Sequence, residues 1–132
     1  MVLVDTSVWV DYFNGVDSWQ TDLLDSLLQS ELVAVGDLIL AEVLQGFRSE
    51  KDFNKAREYL EPLPFYLLGG RIIAVSSARN YRILRKRGIT IRKTIDVLIA
   101  TAAIYYDFEL LHNDRDFDVM ESIGLNIKFF SE

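Results

Sequence analysis

The chain has no cysteine and a single histidine. The first absence excludes disulfides, zinc–thiolate sites and thiol catalysis, and is compatible with a reducing compartment. The second leaves carboxylate oxygens as the plentiful metal-ligand type. The start, Met1-Val2-Leu3-Val4-Asp5, has no basic segment, and Asp5 and Asp11 interrupt any signal-like apolar core. Uninterrupted apolar stretches reach only about ten residues, too few for a bilayer core of about 30 Å. These absences predict a soluble, cytoplasmic protein with no membrane partner.

Half of the 132 residues are hydrophobic, which places the chain among globular sequences. That length fits one domain, 1–132, able to bury about two-thirds of its unfolded surface. The net charge is −6, and an average of that sign argues against a polyanionic partner. The average conceals a strong polarity, because eight of the fourteen basic residues and no acid lie between Arg71 and Lys93. A charge run alone is most often a solvated helix face. Next to a cluster of acids, the same strip suits phosphate binding beside a metal.

Such acids are present. A single carboxylate interrupts each of three apolar runs: Asp5 in 2–10, Glu42 in 38–44 and Asp96 in 95–103. An acid carried toward a core loses several kcal/mol of hydration unless a cation or hydrogen-bond donors replace the water, and no Lys or Arg lies in any of the three runs. Asp114, Asp116 and Asp118 follow the apolar pair Leu110-Leu111.

Strand-like and helix-like segments alternate. Strands are predicted at 2–4, 32–35, 65–68, 109–112 and 126–130. Helices are predicted from a Thr6 or Ser7 cap to Asn14-Gly15, at 19–30, and at 38–47 after Gly36-Asp37. Others are expected at 51–60 before Pro62 and Pro64, from Gly69-Gly70 to about Lys86, and at 95–106 with Thr94 as its cap. The near-continuous hydrophobicity of 38–47 predicts burial on most sides. The alternation predicts an α/β domain with a mostly parallel sheet and helices on both faces. Sites in such sheets form outside the carboxyl ends of strands, where Asp5 and Asp114 fall directly and Glu42 and Asp96 through helix starts. Singly, each acid reads equally well as a cap, a helix N-terminal charge or an ion-pair member. Jointly they need a cation, since two carboxylates about 4 Å apart repel by about 4 kcal/mol at an effective dielectric near 20.

Four stretches carry a family resemblance: Val4-Asp5-Thr6-Ser7-Val8-Trp9, Leu40-Ala41-Glu42-Val43-Leu44-Gln45-Gly46, Thr94-Ile95-Asp96-Val97-Leu98-Ile99-Ala100, and Leu110 through Asn113-Asp114-Arg115-Asp116-Phe117. In order and spacing they resemble the motifs of PIN-domain ribonucleases, most closely the VapC toxins of prokaryotic toxin–antitoxin pairs. The resemblance implies a PIN-like domain and a Mg²⁺- or Mn²⁺-dependent endoribonuclease, the toxin of a type II system, leaving 5′-phosphate and 3′-hydroxyl ends. By that resemblance Asp5, Glu42, Asp96 and Asp114 are catalytic and hold one or two ions, with Asp116 a further metal-binding acid. Thr6 and Ser7, or Thr94, would orient carboxylates or water. Arg79, Arg82, Arg85, Lys86, Arg92 and Lys93 are candidates for RNA phosphates, and His112 reads as a structural polar residue. A cognate antitoxin and a homodimer are the implied partners. A receiver domain would need paired acids after the first strand, and a haloacid-dehalogenase phosphatase would need an acid at position 7, which is Ser7. A non-cleaving RNA- or antitoxin-binding module on the same fold is the alternative.

Overall fold

The computed structural model describes residues 1–122 and Lys128–Phe129. Five short parallel strands form one sheet in the order β3-β2-β1-β4-β5. β1 (Val2–Val4), β2 (Val33–Gly36) and β4 (Glu109–Leu111) fill the middle, with β3 (Phe65–Tyr66) and β5 (Lys128–Phe129) at the edges. The central strands are Val- and Leu-rich and buried almost throughout, the pattern of a parallel sheet covered on both faces. Every pairing is parallel, so the expected mostly parallel sheet is parallel throughout the described strands.

The helices are α1 (Thr6–Phe13), α2 (Trp19–Gln29), α3 (Asp37–Gln45), α4 (Glu50–Leu60), α5 (Arg71–Lys86), α6 (Thr94–Tyr106) and α7 (Arg115–Ser122). α6 is the central one. Val97, Ile99, Ala100, Ala102 and Ala103 are all buried, as expected of a helix apolar on nearly every side. Among the described residues, no helix is long and apolar enough to cross a membrane.

The chain builds β1 to β3 outward in one direction and β4 and β5 in the other. The reversal falls between β1 and β4, whose registers pair Val4 with Leu111. Such a switch point opens a crevice at the carboxyl ends of the two strands. The Asp5 amide donates to the Leu111 carbonyl at 2.9 Å, which fixes the relative height of the two loops that leave them.

Several local expectations are corrected. Asp5, not Thr6 or Ser7, caps α1, since its side chain accepts from the Ser7 amide. Thr94 is the first residue of α6, and Lys93 is its cap, with no side-chain cap bond. α3 is only half-buried: Ile39 and Val43 face the core while Ala41 and Gln45 are exposed. Gly36, which precedes it, packs so closely on buried Leu68 that a Cβ there would overlap that side chain. The helix α7 was not anticipated. Its signal is an Asp114 carboxylate that accepts the Asp116 amide, followed by buried Phe117 and Met120 one turn apart. The strand expected at 126–130 is described only as β5, and its remaining residues lie outside the described part of the chain.

Candidate active site

A cleft of about 320 Å³ opens at the switch point, lined by Asp5, Thr6, Ser7, Val10, Asp11, Glu42, Lys93, Asp96, Asn113 and Asp114. Four carboxylates singled out from sequence therefore meet in one place, each carried by a different segment. Asp5 comes from the end of β1, Glu42 from α3, Asp96 from the first turn of α6 and Asp114 from the loop before α7.

One side of the cleft is tied by hydrogen bonds. Asp5 is only 3 % exposed, and its Oδ2 accepts from the Ser7 amide at 3.0 Å and from Ser7 Oγ at 2.6 Å. Ser7 Oγ in turn accepts the Asn113 amide at 2.9 Å, joining the β1 and β4 loops. Thr6 Oγ1 donates to Glu42 Oε1 at 2.8 Å. Burial pushes the Asp5 carboxyl above the usual carboxylate range; the Ser7 bonds oppose this, and the Glu42 charge adds to it.

The other side is crowded and unsatisfied. Carboxylate oxygens of Asp96, Asp114 and Asp116 lie within 4.8 Å of one another. Asp96 is 3 % exposed, and its Oδ2 is buried with no hydrogen-bond partner among the described residues. Its pKa is pushed up to about 7, first by burial and then by the charges of Asp5, Asp114 and Asp116, with Lys93 opposing. A buried anionic oxygen without a partner is costly. Three hard oxygen donors at this spacing, one of them orphaned, fit a divalent cation such as Mg²⁺ or Mn²⁺.

Thr6 and Ser7 line the cleft and bond its acids. Thr94 is exposed and lines a separate, mainly apolar cavity with Ser77, Tyr81, Arg82 and Leu98 between α5 and α6. Arg79, Arg82, Arg85 and Lys86 are exposed along α5 and Arg92 in the loop that follows; none of them lines the cleft, whereas Lys93 does. His112 Nδ1 accepts the Asp114 amide at 3.2 Å, while its Nε2 lies 3.7 Å from Asp118 and its ring 5.0 Å from that of Phe117. Burial lowers its pKa, and it supports the turn into α7.

Two polar lining residues, Asp11 and Asn113, escaped the sequence reading. Asp11 Oδ2 accepts from Asn113 Nδ2 at 3.1 Å. The signal for Asp11 was its i, i+4 spacing from Ser7, which places both on one face of α1. Asn113 had no comparable signal, because its role depends on the Val4–Leu111 register.

The PIN domain family matches residues 2–122. Ribonuclease VapC11 of Mycobacterium tuberculosis is 33% identical over 125 residues, covering 93% of each chain. The fold is that of VapBC2 from Rickettsia felis bound to a DNA fragment from their promoter, with a TM-score of 0.79 at 21% identity over 98% of each chain. A toxin-antitoxin complex from Klebsiella pneumoniae matches with a TM-score of 0.64 at 20% identity, over 89% of this chain and 90% of that one. With buried acids at the β1–β4 switch point and a match across nearly its whole length, this chain belongs to the PIN-domain family and is a relative of its VapC ribonucleases.

Proposed function

We propose that this protein is a Mg²⁺- or Mn²⁺-dependent endoribonuclease, the cytoplasmic toxin of a type II toxin–antitoxin pair. The observation that carries the reading is the orphaned, buried Asp96 oxygen set among the Asp114 and Asp116 carboxylates. Asp5, Glu42, Asp96 and Asp114 are the catalytic acids, and Asp116 joins them in holding metal. When bound, one or two divalent ions would activate water and stabilise the leaving 3′-oxygen. The residues of the chain prepare for that. Ser7 fixes the Asp5 carboxylate and Thr6 fixes Glu42, so these two acids present their remaining lone pairs in set directions.

The exposed side chains of Arg79, Arg82, Arg85, Lys86 and Arg92 would neutralise phosphates of an RNA strand crossing the cleft. Lys93 belongs with them by charge. The antitoxin partner is supported by the likeness to a toxin-antitoxin complex. A homodimer is supported by the exposed apolar side chains of Ile72, Val75 and Ile83 on α5.

Metal-stripped protein is to be assayed on a labelled RNA pool with each ion in turn. Cleavage is expected with Mg²⁺ or Mn²⁺, without a requirement for Zn²⁺, and with binding but little turnover in Ca²⁺. Loss of the activity in Asp5→Asn excludes a contaminating ribonuclease. RNA or antitoxin binding without cleavage under any ion would favour the non-cleaving module. Cleavage that persists in excess EDTA and disappears in Asp5→Asn would overturn the metal dependence.

A further inference from the structure

Among the described residues, the acid cleft is lined by one side chain whose sign opposes the rest. Five carboxylates line it, from Asp5, Asp11, Glu42, Asp96 and Asp114, together with one cation, Lys93. No ion pair within 4.0 Å joins Lys93 to a carboxylate among the described residues, although its charge acts on Asp96 through space. Its backbone is held. Lys93 is the cap of α6, and its carbonyl accepts the Asp96 amide at 3.1 Å. The lysine is therefore anchored one turn from the most buried acid of the metal group, with its side chain exposed at the cleft.

That position works against metal binding. A positive charge beside Asp96 weakens the hold of the acid cluster on a divalent cation, and the carbonyl of residue 93 would serve the helix equally well with any side chain. The charge becomes useful once an anion enters the cleft. A phosphodiester drawn to the metal group brings two non-bridging oxygens, and negative charge grows on them as phosphorus becomes five-coordinate.

We propose that Lys93 contacts the scissile phosphate and neutralises the charge that builds on its non-bridging oxygens. This makes it a catalytic residue, distinct from the basic side chains on α5 that lie outside the cleft. The inference rests on the ribonuclease reading. In the step concerned, the oxygen of water bonds to phosphorus, giving up a proton to solvent. The P–O3′ bond breaks with its electron pair on O3′, and O3′ takes up a proton from solvent. Lys93 keeps its own proton throughout and acts by position and charge.

Two measurements with opposite expected signs test this. Lys93→Met should slow single-turnover cleavage at saturating RNA about 100-fold, the scale of losing one positioned donor. In the RNA-free protein the same variant should bind Mn²⁺ several-fold more tightly, as read by electron paramagnetic resonance titration. Lys93→Arg should recover the rate to within about tenfold of the parent, and Lys51→Ala, at an exposed lysine of α4 outside the cleft, should leave the saturating rate in place. An unchanged saturating rate in Lys93→Met would overturn the proposal and return Lys93 to the general phosphate strip. Weaker Mn²⁺ binding in that variant would also overturn it, by showing that Lys93 supports Asp96. If the parent protein cleaves no RNA under Mg²⁺ or Mn²⁺, the ribonuclease reading itself fails. Cleavage by the parent that Asp96→Asn abolishes and Lys93→Met leaves intact defeats only the Lys93 assignment.

Discussion

Asp5 and Asp96 are equally buried, at 3 % exposure each, yet the two halves of the cleft treat them in opposite ways. Asp5 receives two donors from Ser7, and neighbouring Glu42 receives one from Thr6. Asp96 retains a buried oxygen with no partner, next to Asp114 and Asp116. The first half is solved by the protein, and the second is left for something the described residues do not provide. A fold that needed these acids only as caps would satisfy all of them. The asymmetry therefore points to where a cation would do the most for stability.

The largest effect should come from removing the unsatisfied acid. Asp96→Asn should reduce cleavage by at least about 1,000-fold, equivalent to roughly 4 kcal/mol of barrier. In EDTA its melting temperature should be no lower than that of the parent, because a repelling charge has gone. The Mg²⁺-dependent rise in melting temperature should also shrink. Calorimetric melts with and without Mg²⁺ check this, and a clear destabilisation in EDTA would recast Asp96 as a structural carboxylate.

The same asymmetry should appear in pH. The Asp96 pKa stands at about 7 in the folded chain against 3.8 for the unfolded group, so the folded state holds its proton more tightly. Its stabilising contribution is fully present below about pH 4 and is lost as pH rises through 7. At the upper end of that window the loss is on the order of 4 kcal/mol. Metal-free protein should lose stability between those limits through this group, and Mg²⁺ should restore it progressively over the same interval. Asp96→Asn should flatten the profile. A metal-free parent with the same pH slope as Asp96→Asn would show that the acids are already compensated.

The legibility of the two halves in sequence follows from the same physics. Asp5, Glu42 and Asp96 stood out because each interrupts an apolar run, and burial makes that interruption costly wherever the chain goes. The parallel sheet was readable from the alternation of Val- and Leu-rich segments with helical periods. α7 was not, since Asp116 and Asp118 masked the Phe117 and Met120 spacing. Neither was the pairing of Ser7 with Asn113, 106 residues apart, because it arises from the register between β1 and β4. Charge on an exposed helix is weak information: Arg79 through Lys86 could be recognised as a basic strip, but only the fold separates Lys93 from it. The half-burial of α3 was likewise hidden, since exposing Ala41 and Gln45 depends on what lies across from them.

Weakening the satisfied half should have smaller consequences. Ser7→Ala removes the 2.6 Å donor to Asp5 and the acceptor of the Asn113 amide, and hydrogen bonds to a charged group contribute about 1.5–3 kcal/mol. A stability loss of that size is expected at neutral pH in urea melts, present with and without Mg²⁺. A loss abolished by Mg²⁺ would mean that Asp5 is held chiefly by metal, and the contrast between the two halves would weaken.

Thr6→Val should be the mildest change, and it tests whether Glu42 needs its tether. The substitution preserves shape and deletes only the 2.8 Å bond to Glu42 Oε1. Glu42 is half-buried, so water can replace the lost donor, and the cost in stability should stay near about 1 kcal/mol. Glu42 lies outside the close-set group of Asp96, Asp114 and Asp116, so Mn²⁺ affinity should change by less than about tenfold while the cleavage rate falls modestly. A rate loss approaching that of Asp96→Asn would show that neither metal nor water can stand in for the Thr6 bond in placing the Glu42 carboxylate, and Thr6 would then rank with the acids themselves.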